Sequence, residues 1–239
     1  MAQNTGNAKN ILVGASPLFL SNFDSTSTGV NEWKANAEPG SSAAAGFTTG
    51  VSYTTTLNNV TPSTTFAYRN VGYTNNGLQI TYNPTYGSVT VDQLLDTAKL
   101  FKESMEVMIA TEMTEGTLEN VLAVFGQASN TLSADAGYTA ATQGGTNTLG
   151  LAAGALGIAP TERQLIAVGQ APSSTDGSNS KTMERVYYAR RVLSVQQSQF
   201  SLARNAATTF PVTFRLLPSG DSAYAGQEYG KIVDRILSA

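Results

Sequence analysis

The stretch Phe101-Lys102-Glu103-Ser104-Met105-Glu106-Val107-Met108-Ile109-Ala110-Thr111-Glu112-Met113 decides how the fold is read. Phe101, Met105, Val107, Ile109 and Met113 fall on one side of an alternation. Lys102, Ser104, Glu106, Ala110 and Glu112 fall on the other. Side chains of a strand point alternately to its two faces, so this period of two predicts a strand with one face in a core. Directly after it, Leu118, Val121, Leu122 and Phe125 recur at the i, i+3, i+4, i+7 spacing of an amphipathic helix. Thr114 stands as its candidate N-cap, Glu115 and Glu119 favour its positive end, and Gly126 is placed to terminate it.

Working outward, Asn75-Asn76-Gly77 is a turn signal that favours positive φ and predicts a hairpin entry before Gly77 to Tyr82. Thr90 to Leu100 reads locally as helix: Thr90-x-x-Gln93 resembles a capping box, and Val91, Leu94, Leu95 and Ala98 share a helical face. Towards the C-terminus, Met183 to Val195 and Thr208 to Leu217 alternate and predict two antiparallel strands, the second with the apolar row Phe210, Val212, Phe214 and Leu216. Pro211 has no N–H to donate, so its position belongs to an edge, a strand start or a bulge. Tyr229 to Leu237 is compatible with a terminal strand or a short helix. Residues 1–70 form a loop-rich N-terminal part with short β-like runs at Gly50 to Leu57 and Thr64 to Tyr68. Residues 127–182 read as a loop-rich insertion between two patterned blocks. No period of the length that marks solenoids or propellers is present.

The 239 residues, 25.0 kDa, can bury a full-sized core. Only 13% are charged, against roughly 25% in an ordinary soluble domain, and the polar remainder suits strands and turns better than solvated helices. The chain has neither Cys nor His, which removes disulfides, thiolate or imidazole catalysis and the usual zinc sites. A net charge of −3 leaves no overall basic surface for gripping nucleic acid. Ile11 to Leu20 after Lys9 has the outline of a signal-peptide core, but Pro17 interrupts it and no small-residue cleavage pattern follows. The expectation is a protein made and folded in a cytoplasm, with no membrane partner.

Chemical motifs are few, and each has a plainer use. Ser178-x-x-Lys181 has the spacing of a Ser/Lys nucleophile pair, yet lies in a Ser-, Asn- and Gly-rich tract without the companion motifs of that enzyme class. Glu103 and Glu106 would point to opposite strand faces, and the pairs Glu112/Glu115 and Asp92/Asp96 fit a helix entry or a solvated face better than acid–base catalysis. Gly144-Gly145 with Gly150, Gly154 and Gly157 match no phosphate-loop pattern, and Asn59-Val60-Thr61 has the form of a glycosylation acceptor. Arg185, Arg190, Arg191 and Arg204, with Tyr187 and Tyr188 among them, read as ion-pair partners rather than a nucleic-acid face, because Arg190 and Arg191 point to opposite sides of a strand. Trp33 is a candidate core or interface anchor. The expectation is a non-enzyme with no cofactor and no metal.

The run Val71-Gly72-Tyr73-Thr74-Asn75-Asn76-Gly77-Leu78-Gln79-Ile80, then Val91-Asp92-Gln93, Glu106 to Ile109, and Thr114-Glu115-Gly116-Thr117-Leu118-Glu119-Asn120 resembles the tail tube (major tail) proteins of tailed bacteriophages. Phe210-Pro211-Val212-Thr213-Phe214-Arg215-Leu216-Leu217-Pro218 resembles the strand that closes the same fold. The matching parts span roughly residues 70–126 and 183–235, and their order and spacing carry the resemblance. It implies a mainly β chain, a β-sandwich or barrel-like tail tube fold with one short packed α-helix and long loops, forming a single domain over residues 1–239. It implies an extended backbone at Thr90 to Leu100, against the local helical pattern. It further implies a virion protein: homo-hexameric rings stacked into a tube that conducts DNA. The implied partners are a tape measure protein and passing DNA in the lumen, terminator and tail-tip or baseplate proteins at the ends and, in a contractile tail, a sheath protein outside. The polar side of the Phe101 to Met113 strand, Lys102, Glu106 and Glu112, supplies the candidate lumen-facing residues.

Two other functions compete. A head-to-tail joining or other tail ring protein of related fold would form isolated rings and no tubes. A carbohydrate-binding surface or adhesin β-domain would be a stable monomer or small oligomer, and the Ser, Thr, Asn and Tyr content is what suggests it.

Overall fold

A computed structural model of the chain describes residues 16–21, 24–26, 52–56, 65–93, 96–128, 131–134, 147–153, 156–157, 159–172, 183–196, 198–202, 204–205, 207–220 and 222–236. Ser178, Lys181, Trp33, Asn59, Gly144, Gly145 and Gly154 lie outside them. The alternating stretch is the inner part of a long strand, β5 (Thr97–Met113), which pairs antiparallel with an equally long β4 (Thr74–Thr90). The backbone is therefore strand up to Thr90 and again from Thr97, so the helix suggested by the local pattern at Thr90 to Leu100 does not form; Leu94 and Leu95 lie outside the described residues. Cross-strand pairing outweighs local helical periodicity because both neighbours of the turn are committed to one ladder.

The remaining strands are β1 (Leu18–Ser21), β2 (Ser52–Thr56), β3 (Thr65–Asn70), β6 (Leu132–Ala134), β7 (Asn147–Leu149), β8 (Arg163–Gln170), β9 (Met183–Ser194), β10 (Phe210–Leu216) and β11 (Gly230–Ile236). Nine of them form one antiparallel sheet in the order β2-β3-β1-β8-β9-β10-β5-β4, with β11 also on β9, and β6 and β7 pair separately. The fold is mainly β with long connections and, among the described residues, one short α-helix, α1 (Leu118–Val124). β8 falls within the segment expected to be a loop-rich insertion, yet it lies between β1 and β9 in the sheet, and its residues 163 to 168 are all buried. Its polar residues are satisfied in place. Arg163 pairs with Asp24 at 3.3 Å and donates to the Gln127 carbonyl at 3.0 Å, and Gln164 Oε1 accepts from Tyr68 Oη at 2.5 Å.

The main hydrophobic cluster gathers on one side of the sheet, while Phe19, Ile166, Val168 and Val186 are buried on the other. Ile109, Met113, Phe210, Val212, Phe214 and Leu216 come from β5 and β10, Leu18, Leu20, Leu165, Ala167 and Val192 from β1, β8 and β9, and Ala123 and Val124 from α1. A fully buried Leu or Phe contributes roughly 1.5–3 kcal/mol by removal of apolar area from water. Pro211 sits near the start of β10, opposite Glu112 of β5, at a level that β9 does not reach; β9 pairs only with Phe214 to Leu216.

The helix starts later than expected. Thr117 is the N-cap, its hydroxyl accepting from the Asn120 N–H, and Gly126 at φ +64° ends the helix with a Gln127 N–H to Leu122 carbonyl bond of 3.0 Å. Thr114 is used elsewhere: its N–H and hydroxyl both donate to the Tyr73 carbonyl. Glu115 Oε1 accepts from the Tyr73 N–H at 3.0 Å, and buried Asn120 donates through Nδ2 to the carbonyls of Val71 and Glu115. Residues 71–73 are thereby clasped to residues 114–120.

Candidate functional site

Of the three irregularities in the β4–β5 ladder, the two nearer its base determine what each face carries over most of its length. Asn75 opposes Glu112 and Gln79 opposes Ala110, so Asn76, Gly77 and Leu78 bulge out of β4. Asn76 and Gly77 have φ of 60° and 68°, and the Gly77 carbonyl accepts from Thr111 Oγ1 at 2.9 Å. The turn signal at Asn75-Asn76-Gly77 thus serves a bulge inside a strand and not a hairpin entry. Further out, Thr85 opposes Ser104 but Tyr86 opposes Lys102, leaving Glu103 unmatched. One extra residue in one strand reverses the faces of everything beyond it.

This second bulge moves Lys102 off the face that alternation assigns to it. Lys102 lies on the core side, its ammonium 5.8 Å from the Tyr82 ring centroid and 3.3 Å from Met105 Sδ. Phe101 takes the other side, its ring over Gly87, where a Cβ would stand 2.6 Å from a ring carbon. The three candidate lumen-facing residues therefore divide, Glu106 and Glu112 on one face and Lys102 on the opposite one.

The face of Glu106 and Glu112 is polar and open. Register places Asn75, Gln79, Thr81 and Asn83 of β4 and Thr213 and Arg215 of β10 on the same side. Glu112 accepts from Asn75 Nδ2 at 3.3 Å, and Glu106 lies 3.5 Å from the Arg215 guanidinium. A hollow of about 340 Å³ beside the first bulge is lined by Asn76, Gln79, Glu112, Gln196 and Thr213 among others. The face carries the carboxylates of Glu106 and Glu112 and the Arg215 guanidinium, and register places Lys99, opposite Val89, on the same side further out.

The opposite face is apolar and leads into a fork in the sheet. β9 gives one edge to β8 and shares its other edge between β11, along Met183 to Ala189, and β10, along Val192 to Ser194. β5 in turn pairs with β10 only from Met108 to Met113, so its outer half and β11 diverge on either side of β10. Between them lies a groove of about 840 Å³, floored by Val107, Ile109 and Leu216 and walled by Tyr82, Met105, Tyr187, Tyr229 and Ile232. Tyr229 Oη donates to the Met105 carbonyl at 3.4 Å across the base of the fork. Lys102 and Lys231 stand at its margin; Lys231 lies 5.5 Å from the Tyr188 ring centroid, and burial pushes its ammonium below the ordinary lysine value.

The other candidates have structural partners. Arg185 forms a two-point ion pair with Asp234 across β9 and β11, at 2.6 and 2.7 Å, which holds the aspartate below its ordinary value. Arg191 forms a two-point ion pair with Glu162 at 2.7 Å, and Arg190 stacks 3.7 Å from the Tyr224 ring centroid. Asp96 accepts from the Thr97 N–H, and Glu115 belongs to the clasp. Among the described residues no cluster of three or more acidic side chains could hold a metal ion, and no helix is long and apolar enough to cross a membrane. Sequence reasoning missed the groove altogether. Exposed Tyr82, Tyr86 and Leu100 were its available signal, large apolar side chains beside the alternating stretch.

No protein-family model matches the chain, and no curated protein shows significant similarity to it.

Proposed function

We propose that the chain is a structural virion protein that assembles into stacked hexameric rings, forming the tail tube through which a bacteriophage delivers DNA. One observation carries this reading. The outer halves of β4 and β5 form a two-stranded arm that, among the described residues, pairs with no third strand and leaves Tyr82, Tyr86, Leu100 and Phe101 between 47% and 65% exposed. An isolated two-stranded ribbon is marginal in water, and long open edges with apolar side chains invite pairing with another chain. Such a surface suits a subunit whose working state is an assembly.

Supporting this, two of the segments that resemble tail tube proteins, residues 71–80 and 114–120, meet in the clasp of residues 71–73 to 114–120. The polar face of Glu106 and Glu112 is the surface we assign to the lumen, and Lys102 is excluded from it. Negative-stain electron microscopy of the purified protein at high concentration tests the proposal. Six-fold rings that stack into hollow tubes are expected. Isolated rings only would replace it with a joining role, and particles that stay monomeric at every concentration would overturn it.

A further inference from the structure

We infer that the bulge at Asn76 and Gly77 is a site of spontaneous covalent modification, where the Asn76 carboxamide closes onto the Gly77 backbone nitrogen and reopens as aspartate or isoaspartate. Asn76-Gly77 is the one Asn-Gly dipeptide in the chain. Glycine favours this ring closure because no Cβ crowds the attacking nitrogen, and in a regular strand the ladder would still hold that nitrogen in place. Here the ladder is interrupted. Asn75 opposes Glu112 and Gln79 opposes Ala110, so residues 76 to 78 face the single residue Thr111 and have no register partners of their own. Asn76 and Gly77 are both exposed, and a Cβ on Gly77 would meet nothing within 4 Å. Among the described residues the Asn76 carboxamide has no hydrogen-bond partner. Other asparagines are held. Val71, which follows Asn70, donates its N–H to the Leu18 carbonyl at 3.0 Å. Val121, which follows Asn120, donates to the Thr117 carbonyl at 3.0 Å, and Asn120 Nδ2 is engaged by two carbonyls. Asn83 precedes Pro84, whose nitrogen has no proton to lose, and Asn75 stays in the ladder and donates to Glu112.

The chemistry needs only water and a solvent base. Gly77 N–H loses its proton to the base, the nitrogen attacks Asn76 Cγ, and the Cγ–Nδ2 bond breaks, with Nδ2 taking a proton from water and leaving as ammonia. The resulting five-membered succinimide takes up water at one of its two carbonyls. Breaking the new bond between Gly77 N and Cγ gives aspartate; breaking the original main-chain bond to Gly77 N gives isoaspartate, whose backbone is one methylene longer. In sum a carboxamide and water become a carboxylic acid and ammonia, with no change of oxidation state. Either product puts a carboxylate into the hollow of about 340 Å³ that Asn76 and Glu112 both line, and so adds a negative charge to the polar face. Isoaspartate also stretches the bulge whose Gly77 carbonyl accepts from Thr111 Oγ1.

The test follows the full chain over time at mildly alkaline pH, folded and in urea. Cleavage after Arg69 and Lys99 releases residues 70–99 as one peptide, in which Asn70, Asn75 and Asn83 are internal controls. Fragmentation by mass spectrometry locates each amide-to-acid change and separates aspartate from isoaspartate. In the folded protein the change is expected at Asn76 alone, as a mixture of the two products. Gly77→Ala, whose Cβ has room, is expected to slow it roughly tenfold by crowding the attacking nitrogen. An Asn76 that stays an amide in the folded protein while the urea sample converts would show that the fold protects the site, and would overturn the inference. Conversion of Asn70 or Asn75 ahead of Asn76 would overturn it too, as would aspartate without isoaspartate, the mark of direct hydrolysis. The wild-type time course decides the matter even if Gly77→Ala does not fold, and none of these readouts depends on assembly.

Discussion

Gly72 shows how much one position can carry. Its φ is +85°, a region that costs a residue with a Cβ about 1 kcal/mol or more. A Cβ there would also fall on the Glu115 carboxylate, whose Oε1 accepts the Tyr73 N–H. A carboxylate is the far end of a flexible side chain and can move, but moving it breaks a charge-assisted bond of the order of 1 kcal/mol. Gly72→Ala is therefore expected to cost about 2 kcal/mol in total, seen as a lower urea midpoint at unchanged slope. In a Glu115→Ala background the same substitution should cost only the backbone part, roughly 1 kcal/mol. Equal costs in the two backgrounds would mean that the clasp is not what Gly72 protects. Gly77 provides the contrast, because its φ of +68° is similar but a Cβ there meets nothing within 4 Å.

At the scale of elements, the sequence was legible where a single strand or helix declares its own period. Val107, Ile109 and Met113 are buried as alternation requires, α1 and its terminating Gly126 lie where their spacing predicts, and β9 and β10 pair antiparallel. What was not legible depends on partners. The reversal at Glu103 is set by how β5 pairs with β4, so nothing within Phe101 to Met113 announces it, and Lys102 and Phe101 were assigned to the wrong faces. β8 is buried along both faces over residues 163 to 168, which erases alternation, and Arg163 and Gln164 disguise it further because their partners are distant in sequence. The arm's open state predicts its dynamics. Amides of residues 82–90 and 97–105 should exchange fast in dilute protein, since local stability follows buried contact and this ribbon has little. On assembly they should slow by at least tenfold, while β8 and β9 stay slow throughout. Exchange of the arm that is equally slow in dilute protein would show that it needs no second copy for its order.

At the scale of the whole molecule, the proposed tube raises the question of which surface DNA would meet in it. A chain of net charge −3 repels DNA on average, but passage depends on the face that lines the channel. The face we assign carries Glu106 and Glu112 against Arg215, and Lys102 stands on the reverse side. Replacing Glu106 by Gln and Glu112 by Lys adds positive charge to that face in every subunit of every ring, where phosphates would be neutralised along the whole bore. Variant tubes are expected to retain short linear duplexes at low salt, to release them steeply as salt rises, and to ignore closed circular DNA, which has no end to thread. Glu112 accepts only a 3.3 Å bond from Asn75, and the Glu106 pair with Arg215 is exposed, so folding should survive the change. Circular and linear DNA bound alike would put Glu106 and Glu112 on the outside of the tube, and the channel would then have to be lined by another face of the sheet.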